Sequence, residues 1–378
     1  MISYIRALKA LPKFTYSALK GIPVFYGHEV GLEAFESLCR FLAGNSYQTL
    51  SADEYYQAIK SGEAPSSSKK IVLTFDDGRR NNWAVVYPLL KKYNLKAIFF
   101  IIPPWIKEAP AGINLNDYWQ GRIGLGQIYQ NLRDEPYLTW PEVQEMSQSG
   151  VVDIQSHGLY HQLCFTDKVL IDFQYPKSWG TPAYGDIWTA YDKKEPEALW
   201  GAPVYPTAWS ETVERKYLPD LNLLKLSCNY VSENGGIEFY RLSDWKTKLH
   251  RIVNDYRKTH QMDDNFAINQ TSSQTDMRND LETARLAIEN KCHKKINHLA
   301  LPYHRGNQLI YQAAKEAGYK TIFNGLAGIK FRLITNEEIY HIGRIQMRWA
   351  MMLPGKGRLT LPQKMVNKVL GRHHIIEE

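Results

Sequence analysis

Cysteine is scarce in this chain and never paired. Only four occur in 378 residues. They stand at positions 39, 164, 228 and 292, so no two have the close spacing of a thiolate metal site. Four free thiols in a reducing compartment are the expectation. Long apolar runs are missing too. Arg6, Lys9, Lys13 and Lys20 interrupt the amino-terminal segment, which therefore fits neither a spanning helix nor the core of an export signal. A cytoplasmic protein, or one at the inner face of the membrane, is expected. Charge gathered in blocks is the third absence. The 46 Lys and Arg against 39 Asp and Glu give a net charge of +7, but they are spread along the chain, so no basic stripe points to nucleic acid. Apart from the short turn "PSSSKK" at 65–70 there is neither low complexity nor an internal repeat. Hydrophobic residues at 44% and charged residues at 22% are ordinary for a globular chain, so disorder is not expected.

At the carboxyl end, Leu361, Met365, Val366, Val369 and Leu370 recur at helical spacing with Lys364 and Lys368 opposite. Both termini thus read as basic amphipathic helices, packed on the protein's own core or docked on anionic lipid. The thin positive charge favours the core, and peripheral membrane contact stays open. His373 and His374 read as a solvated end.

Between the termini, strand follows helix. "IVLTF", "KAIFFII", "VVDIQS", "HLALPY", "KTIFN" and "IYHIGRIQM" are strand-like. "NNWAVVYPLLKKY", "DMRNDLETARLAIENK" and "NQLIYQAAKEAGY" are helix-like. The alternation predicts an α/β fold with a parallel sheet, open or closed into a barrel. Reactive groups then gather at the carboxyl ends of strands, where Asp76, Asp77, His157 and Tyr303 fall. Two stretches break the rhythm, near 107–140 and 165–270. The second is dense in Trp, Tyr, Pro and Gly, and its aromatics suit either a small core of its own or stacking against sugar rings.

The chemistry concentrates in "LTFDDG" and "SHGLYH". Adjacent carboxylates disfavour each other's ionisation. A divalent cation on Asp77, His157 and His161 would offset that repulsion and leave Asp76 as a general base. His157 and His161 face one ion if a helical turn follows the strand. Gly78 permits a sharp turn there. The bland alternative for the two aspartates is capping of the helix that starts at Asn81.

Together "LTFDDG", "SHGLYH" and "LALPYHRGN" resemble the three motifs of the polysaccharide deacetylases of carbohydrate esterase family four. "IPVFYGHEV", "AAKEAGYKTIF" and "HIGRIQM" follow in the matching order. The resemblance implies a distorted (β/α) barrel over residues 20–350, interrupted by the two insertions, with 351–378 as a basic tail. It implies removal of an acyl group from an amino sugar, in a polysaccharide or lipid-linked glycan, with zinc as the first candidate ion and cobalt or nickel as alternatives. Asp76 takes the place of the base, Asp77, His157 and His161 those of the metal ligands, and Tyr303 that of the backbone amide that holds the oxyanion.

The chain departs from the family pattern in three ways. Ala300 stands where relatives carry an arginine, which makes Arg344 on the closing strand the candidate to orient Asp76. His304 replaces a glycine, at a position facing substrate. No segment clearly supplies the general acid, for which His341 and His304 compete. Arg79 and Arg80 are also unusual, and suit either an anionic group of the substrate or a solvated helix start. His28 reads as structural. A carbohydrate-binding protein that keeps the fold but has lost catalysis is the rival reading.

Overall fold

Runs of β-branched and aromatic residues form the strands, as suits segments buried on both faces. In the computed structural model, residues 21–61, 69–176, 187–193, 199–260, 265–268, 273–304, 306–325, 339–360 and 362–363 are described. The two amphipathic termini, with His373 and His374, lie outside them. The main sheet comprises β1 (Val24–Gly27), β2 (Gln48–Thr49), β3 (Lys70–Phe75), β4 (Ala97–Ile101), β5 (Val152–Ser156), β6 (His298–Ala300), β7 (Thr321–Gly325) and β8 (Tyr340–Gln346). All its pairings are parallel, in the order β1-β8-β7-β6-β5-β4-β3, and β1 pairs again with β3 to close a seven-stranded barrel. β2 is an addition at the amino end of β3, pairing Thr49 with Ile71. This is the distorted (β/α) barrel that the motifs imply.

Strand alternation sends Val24, Val72, Ile98, Phe100, Ala300, Phe323 and Ile342 into one buried cluster with Ala52, Tyr55 and Ala58 of a short helix. Each buried phenylalanine there contributes roughly 1.5–3 kcal/mol. That helix, α2 (Ala52–Lys60), follows α1 (Leu32–Gly44) and starts with a capping box in which Ser51 Oγ accepts from the Glu54 N–H. Its first turn is tied to the starts of the barrel strands. The Ala52 N–H donates to Asp153 Oδ2 at 2.8 Å, and Asp53 Oδ1 lies 3.1 Å from His298 Nε2. With α2 at the amino-terminal end, the carboxyl ends of the strands carry the polar groups.

Outside the barrel, α1 buries Phe35, Leu38, Cys39 and Leu42 at helical spacing, and Phe35 meets Phe75 edge-on. A five-residue π-helical stretch, Asn82–Val86, leads into α3 (Tyr87–Tyr93). The first insertion folds as α4 (Leu115–Trp119) and α5 (Leu125–Asp134) and ends at α6 (Trp140–Gln148).

The chain divides into two compact units, one of residues 1–160, 279–305 and 314–378, the other of 161–278 and 306–313. The second has its own four-stranded antiparallel sheet, in the order Phe266–Ile268, Arg215–Tyr217, Leu163–Phe165, Thr207–Trp209. Its helices Leu221–Glu233 and Trp245–Thr259 enclose Phe173, Leu223, Val231, Phe239, Leu249 and Val253. Of the described aromatics that left two readings open, Trp188, Tyr191, Tyr205 and Trp209 are buried, whereas Trp200 is only partly so. Phe165 packs against Tyr191 and Tyr205 at 5.0 and 5.3 Å. These four side chains build a core and do not form a sugar platform. The four cysteines are free thiols. Among the described residues no helix is long and apolar enough to cross a membrane.

Candidate active site

β3 delivers two carboxylates in different directions. Asp76 keeps the parity of Val72 and Thr74 and so points into the barrel. Asp77 and Gly78 then adopt φ of 72° and 67°, which ends the strand. Aspartate tolerates this left-handed region better than most residues. At Gly78 the approach is close, because a Cβ would stand 2.9 Å from Ile106 Cδ1.

Arg344 of β8 donates from Nη1 to Asp76 Oδ1 and from Nη2 to Asp76 Oδ2, both at 2.7 Å. Its Nη1 also donates to Thr74 Oγ1 at 3.1 Å, and Thr74 donates in turn to the Phe25 carbonyl. The guanidinium rests on the faces of Tyr26 and Phe100. Burial works to raise the Asp76 carboxyl, but the charge and hydrogen bonds of Arg344 outweigh it and hold the pKa at about 2. Asp76 is an anion fixed in plane and position.

Asp77, His157 and His161 form the second group. One ligand atom from each lies within 4.8 Å of the others, and all three residues are buried. No helical turn brings the histidines together, since 157–162 is irregular and Gly158 has φ 83°. His157 Nδ1 stands 2.8 Å from the Ala300 carbonyl. A carbonyl only accepts, so Nδ1 carries the hydrogen and the neutral ring turns the Nε2 lone pair to Asp77 Oδ1, 3.4 Å away. A lone pair facing a carboxylate oxygen, with a second imidazole beside them, fits a divalent cation, and the carbonyl holding Nδ1 is the usual support for a ligating histidine.

Residues 63–178 match the model of the family described as polysaccharide deacetylase. Over that stretch the chain is similar to polysaccharide deacetylases. YxkH of Bacillus subtilis (strain 168), named as a polysaccharide deacetylase, is 30% identical over 127 residues, 34% of this chain and 36% of that protein. The poly-beta-1,6-N-acetyl-D-glucosamine N-deacetylase of Escherichia coli (strain K12) is 30% identical over 118 residues, 31% of this chain and 16% of that protein. The matches thus span about a third or less of these relatives. The BpsB deacetylase domain of Bordetella bronchiseptica superposes with a TM-score of 0.47 at 16% identity, covering 86% of this chain and 96% of that one.

Around these two groups the other candidates fall into place or out of it. His304 stands beside Arg344, with Nδ1 3.3 Å from Nη2. It packs 4.4 Å from the Tyr26 ring and against Gly325, where a Cβ would come within 2.7 Å of the imidazole. Burial, then Arg344, lowers its pKa to about 3. Since arginine only donates, Nδ1 is the acceptor and Nε2 bears the hydrogen. Tyr303 and His304 both have left-handed backbones, φ 54° and 55°, a strained pair of the kind that collects at functional sites.

His341 requires a correction. It is the second residue of β8, at the amino-terminal end of the strand, and alternation puts it on the face opposite Ile342 and Arg344. It is not a general acid for Asp76's end of the barrel. Arg80 is neither a substrate contact nor solvated: its Nε lies 3.4 Å from Glu142 Oε1 with both side chains buried, and Glu142 also accepts from the Gly112 and Thr139 N–H groups. Capping does not explain the aspartates, since Asn81 caps the π-helical stretch and does so without a side-chain bond.

Sequence reading undervalued the loop after β1. Asn81 exchanges hydrogen bonds with the Val30 backbone at 2.9 and 3.1 Å, and Asn82 Nδ2 donates to the His28 carbonyl at 2.8 Å. They hold His28 close enough for its charge to act on Asp76 and His304. Two asparagines opening a helix directly after a catalytic-type motif were the available signal.

Proposed function

We propose that the protein is a metal-dependent carbohydrate deacetylase that hydrolyses the N-acyl group of an amino sugar in a polysaccharide or lipid-linked glycan. The observation that carries this reading is the division of labour between neighbours: Asp76 locked by Arg344 on both oxygens, Asp77 turned to His157 and His161. Zinc suits two imidazoles and a carboxylate best, with cobalt or nickel as substitutes. A divalent cation there supplies Lewis acidity toward a water and the acyl oxygen.

The chain's own groups do the rest. Asp76 accepts the proton of the attacking water at a carboxylate oxygen and returns it to the departing amine. Arg344 keeps that carboxylate ionised and oriented. The Tyr303 backbone N–H faces the developing oxyanion, a contribution worth a few kcal/mol at comparable sites. His304, neutral with hydrogen on Nε2, offers a further donor to the substrate. The poly-beta-1,6-N-acetyl-D-glucosamine N-deacetylase of E. coli makes oligomers of N-acetylglucosamine the first substrates to try. A role in polysaccharide biosynthesis accords with that choice.

The test is acetate release from such oligomers before and after chelation. Activity should vanish in a verified metal-free sample and return with Zn²⁺, Co²⁺ or Ni²⁺. Undiminished hydrolysis without metal overturns the reading.

A further inference from the structure

Asp77 has two carboxylate oxygens, and they face different partners. Oδ1 lies 3.4 Å from His157 Nε2, while Oδ2 lies 3.1 Å from Arg79 Nη2. The Arg79 guanidinium sits 4.9 Å from the centre of the Tyr137 ring, which is itself buried and packed 4.9 Å from Trp105. The backbone fastens the same place. Arg79 and Tyr137 form an antiparallel bridge, Leu138 N–H donates to the Gly78 carbonyl at 3.0 Å, and Arg80 N–H donates to the Pro136 carbonyl at 2.8 Å. A cation on a long flexible side chain is thereby held between one oxygen and one ring.

We propose that Arg79 is a positioning residue that restricts Asp77 to one-oxygen ligation of the divalent cation and, through its charge, weakens the site for dications. This rests on the metal-dependent reading above. With Oδ2 occupied by a fixed donor, only Oδ1 is presented to the side where the imidazoles converge. A carboxylate freed from that donor binds through both oxygens and raises the coordination number. The charge acts separately: a fixed positive group beside a dication repels it even through a water-like dielectric.

Two variants separate the effects. Arg79→Gln keeps an N–H donor for Oδ2 and removes the charge, whereas Arg79→Ala removes both. Metal-free protein is titrated with Co²⁺, and affinity and visible absorption are read together, with far-ultraviolet circular dichroism to verify the fold. Arg79→Gln should bind about tenfold more tightly than the parent, the factor expected from one nearby charge, with the parent's spectrum. Arg79→Ala should bind more tightly and show weaker visible bands, the mark of higher coordination. A parental spectrum in Arg79→Ala, or parental affinity in both variants, overturns the proposal and leaves the metal site standing. A parent protein that binds no Co²⁺ overturns both.

Discussion

Arg344 Nη1 and Nη2 each stand 2.7 Å from a different oxygen of Asp76, a two-point contact that bridges 268 positions of sequence. Both side chains are almost wholly buried, so neither charge is tolerable without the other. Replacing one partner strands its counterpart. Arg344→Met should destabilise the protein by about 3–5 kcal/mol, read as a lower urea midpoint at neutral pH. Arg344→Lys should fail to restore the parent midpoint, because an ammonium cannot span both oxygens. A parent-like midpoint in Arg344→Met is incompatible with a buried pair.

Asp76→Asn keeps the shape and loses the proton acceptor. Turnover of an acetylated amino-sugar oligomer should drop by about 10²–10⁴-fold. Metal content by atomic emission should be unchanged, because Asp77, His157 and His161 are untouched. Loss of the metal along with activity would place Asp76 among the ligands.

The two competing histidines separate cleanly. His341→Leu should leave turnover within about twofold of the parent, since a group on the outer strand face shifts the barrier by only tenths of a kcal/mol. His304→Ala, which removes the imidazole beside Arg344, should lower kcat well beyond that. The reverse pattern would contradict the strand alternation of β8.

His304 also makes stability depend on pH. Burial first, and then Arg344, hold its pKa at about 3, against 6.5 for a free imidazole, and Asp76 opposes them. The folded-state pKa is depressed, so the unfolded chain takes up the proton more readily. The neutral ring's contribution is complete above pH 6.5 and is lost as pH falls toward 3. In metal-free protein the urea midpoint should fall between about pH 6.5 and 4, and more shallowly in His304→Gln. Equal slopes would show that this imidazole is not held neutral.

Trp209 is fully buried in the second unit, so Trp209→Ala should cost about 3–5 kcal/mol, measured by thermal or urea unfolding. Were Trp209 a sugar-stacking residue, glycan affinity would fall and stability would not.

Much of the fold was legible because a parallel barrel has a loud signature. β3 and β4 are buried on both faces and read as apolar runs, with a helix between them. The pairing of Asp76 with Arg344 was within reach of sequence reading only as a candidate, since nothing local joins β3 to β8. His341 was misplaced for a related reason. Its residue type and strand were right, but its face and height in the barrel depend on register, where Ile322 pairs with His341 and Gly325 with Arg344. Arg79 and Arg80 looked alike in sequence. One is held by Asp77 and Tyr137, the other by Glu142, because the backbone turns at left-handed Asp77 and Gly78.

By itself the sequence determined which segments are strands, where two carboxylates and two histidines stand in the chain, and that its motifs resemble those of polysaccharide deacetylases. Those properties follow from short-range periodicity and from motifs a few residues long. Only the tertiary structure decided which partner each charge takes and that Trp188, Tyr191, Tyr205 and Trp209 of the insertion are core. Such choices are made by contacts between residues hundreds of positions apart, where burial makes an unpaired charge costly and closure of the barrel fixes which side chains meet.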